Sequence, residues 1–327
     1  MGEHDGLLLL GQGELEAARL WARFPPRLAN LAKQQLFELA GGVTRIPRGK
    51  LRVARYACAR LPAICHDSAT VLQSVEGGFA YDAEAAGDCA WYVNFADPHL
   101  FFAYGSPAFA QDEIQVAEHP ILGSLREALL AQQLPAIPPL TTERDRPTPI
   151  LVRGVERWCA IDLDPDLAMP YGIYGRRLQQ ASQAALQQAV LRLDTGQCSN
   201  LIAMAAPQGQ GRYTAAQIAF VLETAWVGFS AARRESDAGC RVVVHSGHWG
   251  TGAFGGDKVL MAALQILAAH LAGIDALAYH SLGPDGVAAF DEGKRVAARL
   301  LDASKLTSEL VQGATELRFV WGISDGN

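Results

Sequence analysis

The spacing of apolar positions divides the chain into helical and strand-like stretches. Glu14 to Arg23, Arg27 to Ala40 and Lys50 to Leu61 repeat apolar residues at helical intervals, with polar faces opposite. Pro25-Pro26, Gly41-Gly42 and Pro47 punctuate them. Residues 1–75 are therefore expected to form a helical N-terminal extension, and residues 76–327 the core. Cys89 to Phe95 predicts a strand, and Gln115 to Gln132 a helix interrupted at His119-Pro120. Residues 133–148, rich in Pro and Thr, read as a surface loop. Pro149 to Val155 and Trp158 to Leu163 read as short strands, and Arg176 to Leu193 as an amphipathic helix. Asn200 to Ala206 and Cys240 to Ser246 read as strands on either side of a long helix, Tyr213 to Glu235, with Thr214 as its cap. Helix Gly256 to Ala272, strand Ala276 to His280, helix Val287 to Ala303 and strand Leu317 to Gly322 complete the pattern. This alternation predicts an α/β fold with a mixed sheet between helices.

Composition narrows the picture. The chain has 327 residues, half of them hydrophobic and 19% charged, with a net charge of −6. That is ordinary globular composition, and no Lys/Arg stripe offers a broad grip on nucleic acid. Six scattered cysteines (58, 65, 89, 159, 198 and 240) show no zinc spacing and read as small core residues, which points to a reducing, cytoplasmic setting. Leu7 to Leu10 is too short for a signal or an anchor, and no apolar run reaches the roughly eighteen residues that span a bilayer, so no membrane partner is expected.

Two stretches carry candidate chemistry. Val242-Val243-Val244 reads as a buried strand leading into a loop with Gly247, Gly250, Gly252, Gly255 and Gly256, and a helix follows at once. Glycines let backbone approach a ligand, and N–H groups at a helix start attract phosphate. The loop fits neither G-x-x-x-x-G-K-[ST] nor G-x-G-x-x-G. Trp249 and Phe254 inside it suggest a sugar or base pocket rather than a plain turn. Further upstream, the apolar stretch Leu100 to Ala110 delivers two adjacent carboxylates, Asp112 and Glu113. They read either as solvated acids at a helix start or as a pair in which burial and like charge create a general acid. His245, His248 and His280 cluster near the loop, but without zincin spacing no metal is expected.

Gly247 to Asp257 resembles the G-x-W-G-C-G-A-F-G-G-[DN] signature of poly(ADP-ribose) glycohydrolases, which are macrodomain proteins, with Thr251 at the Cys position. Val93-Asn94-Phe95-Ala96-Asp97 is similar to that family's V-D-F-A-N, and Gln111-Asp112-Glu113-Ile114 to its Q-E-E-I. The resemblance implies a divergent, bacterial-type glycohydrolase with a macrodomain-like core. It places the catalytic acid at Glu113, with Asp112 beside it. It places ribose contacts at Asn94, Asp97 and Phe254, a further site position at Gln111, and ADP-ribose loop contacts at Gly247, Trp249, Gly250, Gly252, Ala253 and Gly255. Asp82, with Glu84 as its rival, would read adenine, and Tyr171 or Tyr174 would stack on it. The family's G-G-G falls on Phe101, Phe102 and Ala103, so the ribose wall is expected to be rebuilt, with Phe102 lining it and Gly105-Ser106 taking part.

The expected function is ADP-ribosyl glycohydrolysis of a mono-ADP-ribosylated protein or of poly(ADP-ribose). Nucleic-acid-linked ADP-ribose is a further candidate, and no cofactor is expected. The alternatives are a reader that binds ADP-ribose intact and an unrelated sugar-nucleotide enzyme.

Overall fold

The computed structural model describes residues 6–63, 69–81, 87–164 and 172–324. Its centre is an eight-stranded sheet in the order β1-β2-β7-β8-β4-β9-β10-β3. The strands are β1 (Leu7–Glu16), β2 (Lys50–Cys58), β3 (Val71–Glu76), β4 (Asp88–Ala96), β7 (Ile150–Ile161), β8 (Val190–Ala205), β9 (Arg241–Gly247) and β10 (Ala276–Ser281). A small separate hairpin pairs β5 (Thr142–Glu143) with β6 (Arg146–Pro147). Strands β1, β2, β7 and β8 pair antiparallel, whereas β8, β4, β9, β10 and β3 pair parallel. The sheet is thus mixed, as the alternation of elements predicts.

Helices cover both faces, so the inner strands carry apolar residues on both sides. On one face Tyr56, Trp91, Val93, Ile202, Met204, Val244 and Tyr279 pack with α6 (Ala215–Glu235), α7 (Lys258–Ala272), α8 (Gly283–Ala303) and α9 (Thr307–Glu316). Helix α6 is long and apolar enough to cross a membrane by length and composition, but most of it is buried in this core. Its start is fixed by Thr214, whose hydroxyl accepts from the Gln217 N–H. On the other face Val53, Tyr92, Val152, Leu201 and Ala203 pack with α1 (Ala17–Arg23), α3 (Gln111–Glu118) and α4 (Ile121–Leu130). Helices α2 (Leu31–Ala40) and α5 (Gln183–Ala189) form a smaller cluster beside them through Leu36, Phe109 and Leu186.

Several expectations are corrected. The N-terminal segment is not a helical extension, because β1 and β2 lie in the main sheet. Lys50 to Leu61 reads as a helix because Arg55 interrupts the strand alternation. Arg55 is buried, its guanidinium donating to Glu143 Oε2 (2.9 Å) and Thr148 Oγ1 (2.8 Å). Arg176 to Leu193 is not one helix: a 3-10 turn, the short α5 and the start of β8 divide it. Leu317 to Gly322 forms no strand beyond an isolated bridge between Val320 and Arg212. Cys89 and Cys240 are not separate core residues but a disulfide with Cα atoms 5.9 Å apart, so the cysteines do not by themselves argue for a reducing compartment.

Candidate active site

Strands β4 and β9 are parallel neighbours. The chain leaves both at the same edge of the sheet, the edge at which open α/β sheets bind ligands. The stretch after β4 leads to the acids on α3, and the glycine-rich loop follows β9.

Helix α3 is clamped to β4 by its first residue. Gln111 Oε1 accepts from the Phe95 N–H (2.7 Å), and its Nε2 donates to the Val93 carbonyl (3.1 Å), so the side chain pairs with the strand as another strand would. This fixes where Asp112 and Glu113 emerge. Both are buried. Asn94 Nδ2 donates to Asp112 Oδ1 at 2.9 Å. The Ala110 N–H donates to Glu113 Oε2 at 2.8 Å, closing the helix start with the side chain of its third residue. Burial, and then the charge of Glu113, push the Asp112 carboxyl up to about 8, against the Asn94 hydrogen bond and the charge of Lys33. Asp112 therefore keeps a proton near neutrality, in a setting that can hold one carboxyl as an acid.

The loop after β9 is held from inside. The Trp249 indole lies in the core and its Nε1–H donates to the Met204 carbonyl (3.0 Å). The Gly255 N–H donates to Gly252 O (2.9 Å) and the Gly256 N–H to Gly250 O (2.8 Å), so the loop curls back on itself. At Gly250 φ is +75°, and a Cβ would lie 2.5 Å from the Ala206 Cβ. Only glycine fits there. Asp257 caps α7, its carboxylate accepting from the Leu260 N–H (2.9 Å). Its charge already stands at the helix start, which leaves the α7 terminus poorly suited to an anion. The chain end braces the loop from outside: the Gly322 N–H donates to Gly255 O (2.7 Å), and Trp321 stacks on Tyr213, whose hydroxyl accepts from the Asp257 N–H.

Residues 148–288 match the family described as poly(ADP-ribose) glycohydrolase, macro domain fold. Over those residues the chain is similar to that family's macro domain. Three solved structures are similar to it. Poly(ADP-ribose) glycohydrolase from Thermomonospora curvata is 18% identical, with 86% of this chain and 85% of that one covered and a TM-score of 0.48. The same organism's enzyme bound to the inhibitor ADP-HPD is 20% identical, with 68% and 78% covered and a TM-score of 0.44. The Deinococcus radiodurans enzyme in complex with ADP-ribose is 12% identical, with 88% and 95% covered and a TM-score of 0.40. No curated protein matches the chain. The acid pair at 112–113 precedes the matched residues of the macrodomain, so the family match does not bear on it.

The fold brings Asn94, Gln111, Asp112 and Glu113 together at the end of β4. Asp97 stands at the rim, its Oδ1 accepting from the His99 N–H (2.8 Å). Gly247, Gly250, Gly252, Ala253, Phe254 and Gly255 lie on the loop after β9, with Phe254 half-buried against the core. Three roles change. Gln111 spends its amide on the β4 backbone, Trp249 is a core anchor rather than a lining residue, and the Gly255 N–H is taken by Gly252. Asp82, Glu84 and Tyr171 lie outside the described residues, while Tyr174 is half-buried just before the 3-10 turn.

The ribose wall also differs from expectation. Phe101 adopts φ +51° and is fully buried in the core, so the bulky ring turns inward rather than lining the site. Phe102 projects outward, 63% exposed, with the Arg126 guanidinium 5.7 Å from its ring centre. Gly105 faces the N-terminal chain rather than the site, accepting from the Ala29 and Asn30 N–H groups. Sequence reasoning missed two cations. Arg126 donates to the Leu100 carbonyl and stands within electrostatic reach of Asp112 and Asp97. Lys33 is the other.

Proposed function

We propose that this chain is an ADP-ribosyl glycohydrolase acting on a mono-ADP-ribosylated protein or on poly(ADP-ribose). The observation that carries the reading is the buried Asp112–Glu113 pair, one strand away from the glycine-rich loop. Cleavage at the anomeric carbon of a ribose needs a proton for the leaving oxygen and a base for water. Glu113 serves as the acid: it relays the proton held by the buried pair to the leaving oxygen as the glycosidic bond breaks, and its carboxylate then takes a proton from the water that adds to the oxocarbenium-like carbon. The product is free ADP-ribose. Asp112, the carboxyl that holds this proton near neutrality, is fixed by Asn94 and, once it has given the proton up, accepts from a ribose hydroxyl. The amides around Gly250, Gly252 and Ala253 face the diphosphate, and Phe254 packs on the ribose.

One observation favours a second reading, a reader that binds ADP-ribose and leaves it intact. The Glu113 carboxylate already closes the start of α3 through the Ala110 N–H, a structural task that needs no chemistry. The deciding experiment measures ADP-ribose release from polymer, from mono-ADP-ribosylated Arg, Ser, Thr and Glu, and from modified nucleic acid, with Glu113→Gln alongside. Release from one substrate, lost in the variant while ADP-ribose binding persists, supports the hydrolase. Binding without release from any of them supports the reader.

A further inference from the structure

Lys33 lies on α2, outside the macrodomain match, yet only 3% of it reaches solvent. Its Nζ donates to the carbonyls of Tyr104 (2.8 Å) and Ala103 (3.1 Å), and stands 6.0 Å from the Phe109 ring centre. Those carbonyls belong to the stretch that replaces the glycines at the ribose wall. The stretch is also tied to the same end of α2 through Gly105 O, which accepts from the Ala29 and Asn30 N–H groups at 3.1 Å. The groups acting on Lys33 are the carboxylates of Glu113 and, less strongly, Asp112. Those acting on Asp112 are Glu113, Lys33 and Asp97, and Arg126 stands within reach of Asp112 and Asp97 from α4.

A buried ammonium is expensive unless it is paired. If this position only had to fill space under the 101–105 stretch, an apolar side chain would serve at less cost. We infer that Lys33 is a positioning residue for the proposed hydrolysis: it fixes the 103–104 backbone at the ribose wall and supplies the one cation that α2 aims at the Asp112–Glu113 pair. The inference rests on the hydrolase reading for its effect on turnover. Desolvation lowers Lys33 itself to about 8, with both carboxylates opposing that shift, so near pH 7 it is mostly charged.

The test compares wild type, Lys33→Gln and Lys33→Arg on the substrate that wild type cleaves. Removing the cation makes the Asp112 carboxyl hold its proton more tightly. Lys33→Gln, which keeps an amide donor, should move the pH profile of kcat upward by about half to one pH unit and lower kcat about tenfold at pH 7, with KM little changed. Lys33→Arg keeps the charge and should restore the profile. A Lys33→Gln profile superimposable on wild type overturns the inference, even if the variant melts earlier. A second readout needs no turnover: carboxyl carbon NMR titration of Asp112 should show the same upward shift in Lys33→Gln. Wild type inactive on every substrate, with the NMR shift present, would remove the hydrolase reading and leave the Lys33 coupling standing. An unshifted Asp112 carboxyl would remove the coupling whatever the activity.

Discussion

Asn94 donates to Asp112 across 2.9 Å, with both side chains buried. The bond favours the ionised carboxylate, but burial and Glu113 outweigh it. Folded Asp112 loses its proton near 8, against 3.8 when unperturbed. Between these values the folded protein holds the extra proton, so this group's effect on stability worsens as pH rises. Asp112→Asn should therefore raise the melting temperature, with a gain that grows from about pH 5 to about pH 8. Thermal melts at several pH values check this, and a gain independent of pH would contradict it.

Glu113 carries a structural bond as well as the proposed chemistry. Glu113→Gln keeps an oxygen that can accept from the Ala110 N–H, whereas Glu113→Ala does not. Alanine should cost about 1 kcal/mol of stability, typical of a lost helix-start hydrogen bond, and glutamine well under half of that. Urea denaturation separates the two. Equal losses would mean that the side-chain bond does not hold the helix start.

Adjacent phenylalanines at the ribose wall should behave oppositely. Phe101→Ala empties a core position and should cost about 3–5 kcal/mol. Phe102→Ala removes an exposed ring and should change stability by about 0.5 kcal/mol or less. Its effect should instead appear in the ranking of substrates, read as relative kcat/KM across the panel. An unchanged ranking would show that Phe102 does not meet the leaving group.

The sequence made some of this legible and hid the rest for physical reasons. Val242 to Asp257 shows its strand, loop and helix because glycine, β-branched and cap residues each report local backbone directly. Thr214 announces the start of α6 in the same way. Strand β2 is hidden because the Arg55 charge is neutralised by Glu143, some ninety residues on, so a polar letter stands at a buried position. The wall at 101–103 misleads because side-chain size says nothing of side-chain direction. A positive φ at a phenylalanine turns the ring inward, and no pattern of apolar letters records it. Lys33 reads as the solvated face of a helix, and its partners are carbonyls seventy residues away.

Gly250 offers the sharpest test of the loop. At φ +75°, with Ala206 and Met261 crowding any Cβ, Gly250→Ala must shift the backbone. We expect a loss of about 1–3 kcal/mol and at least about a tenfold weaker affinity for ADP-ribose by calorimetry. Unchanged affinity would place the diphosphate away from this loop.

The pairing of β4 with β9 has a consequence for what can evolve here. The two halves of the site leave adjacent rungs of one ladder, about 4.8 Å apart, and the Cys89–Cys240 bond fastens the opposite ends of that pair. Backbone geometry, not side-chain choice, then acts as a ruler between carboxylate and anion cradle. Substitution can redecorate the rim, as Phe102 does. It cannot stretch the ruler. On the proposed reading, diversification of such a chain is confined to what hangs beyond the ribose, while the part of the ligand between the two marks stays invariant.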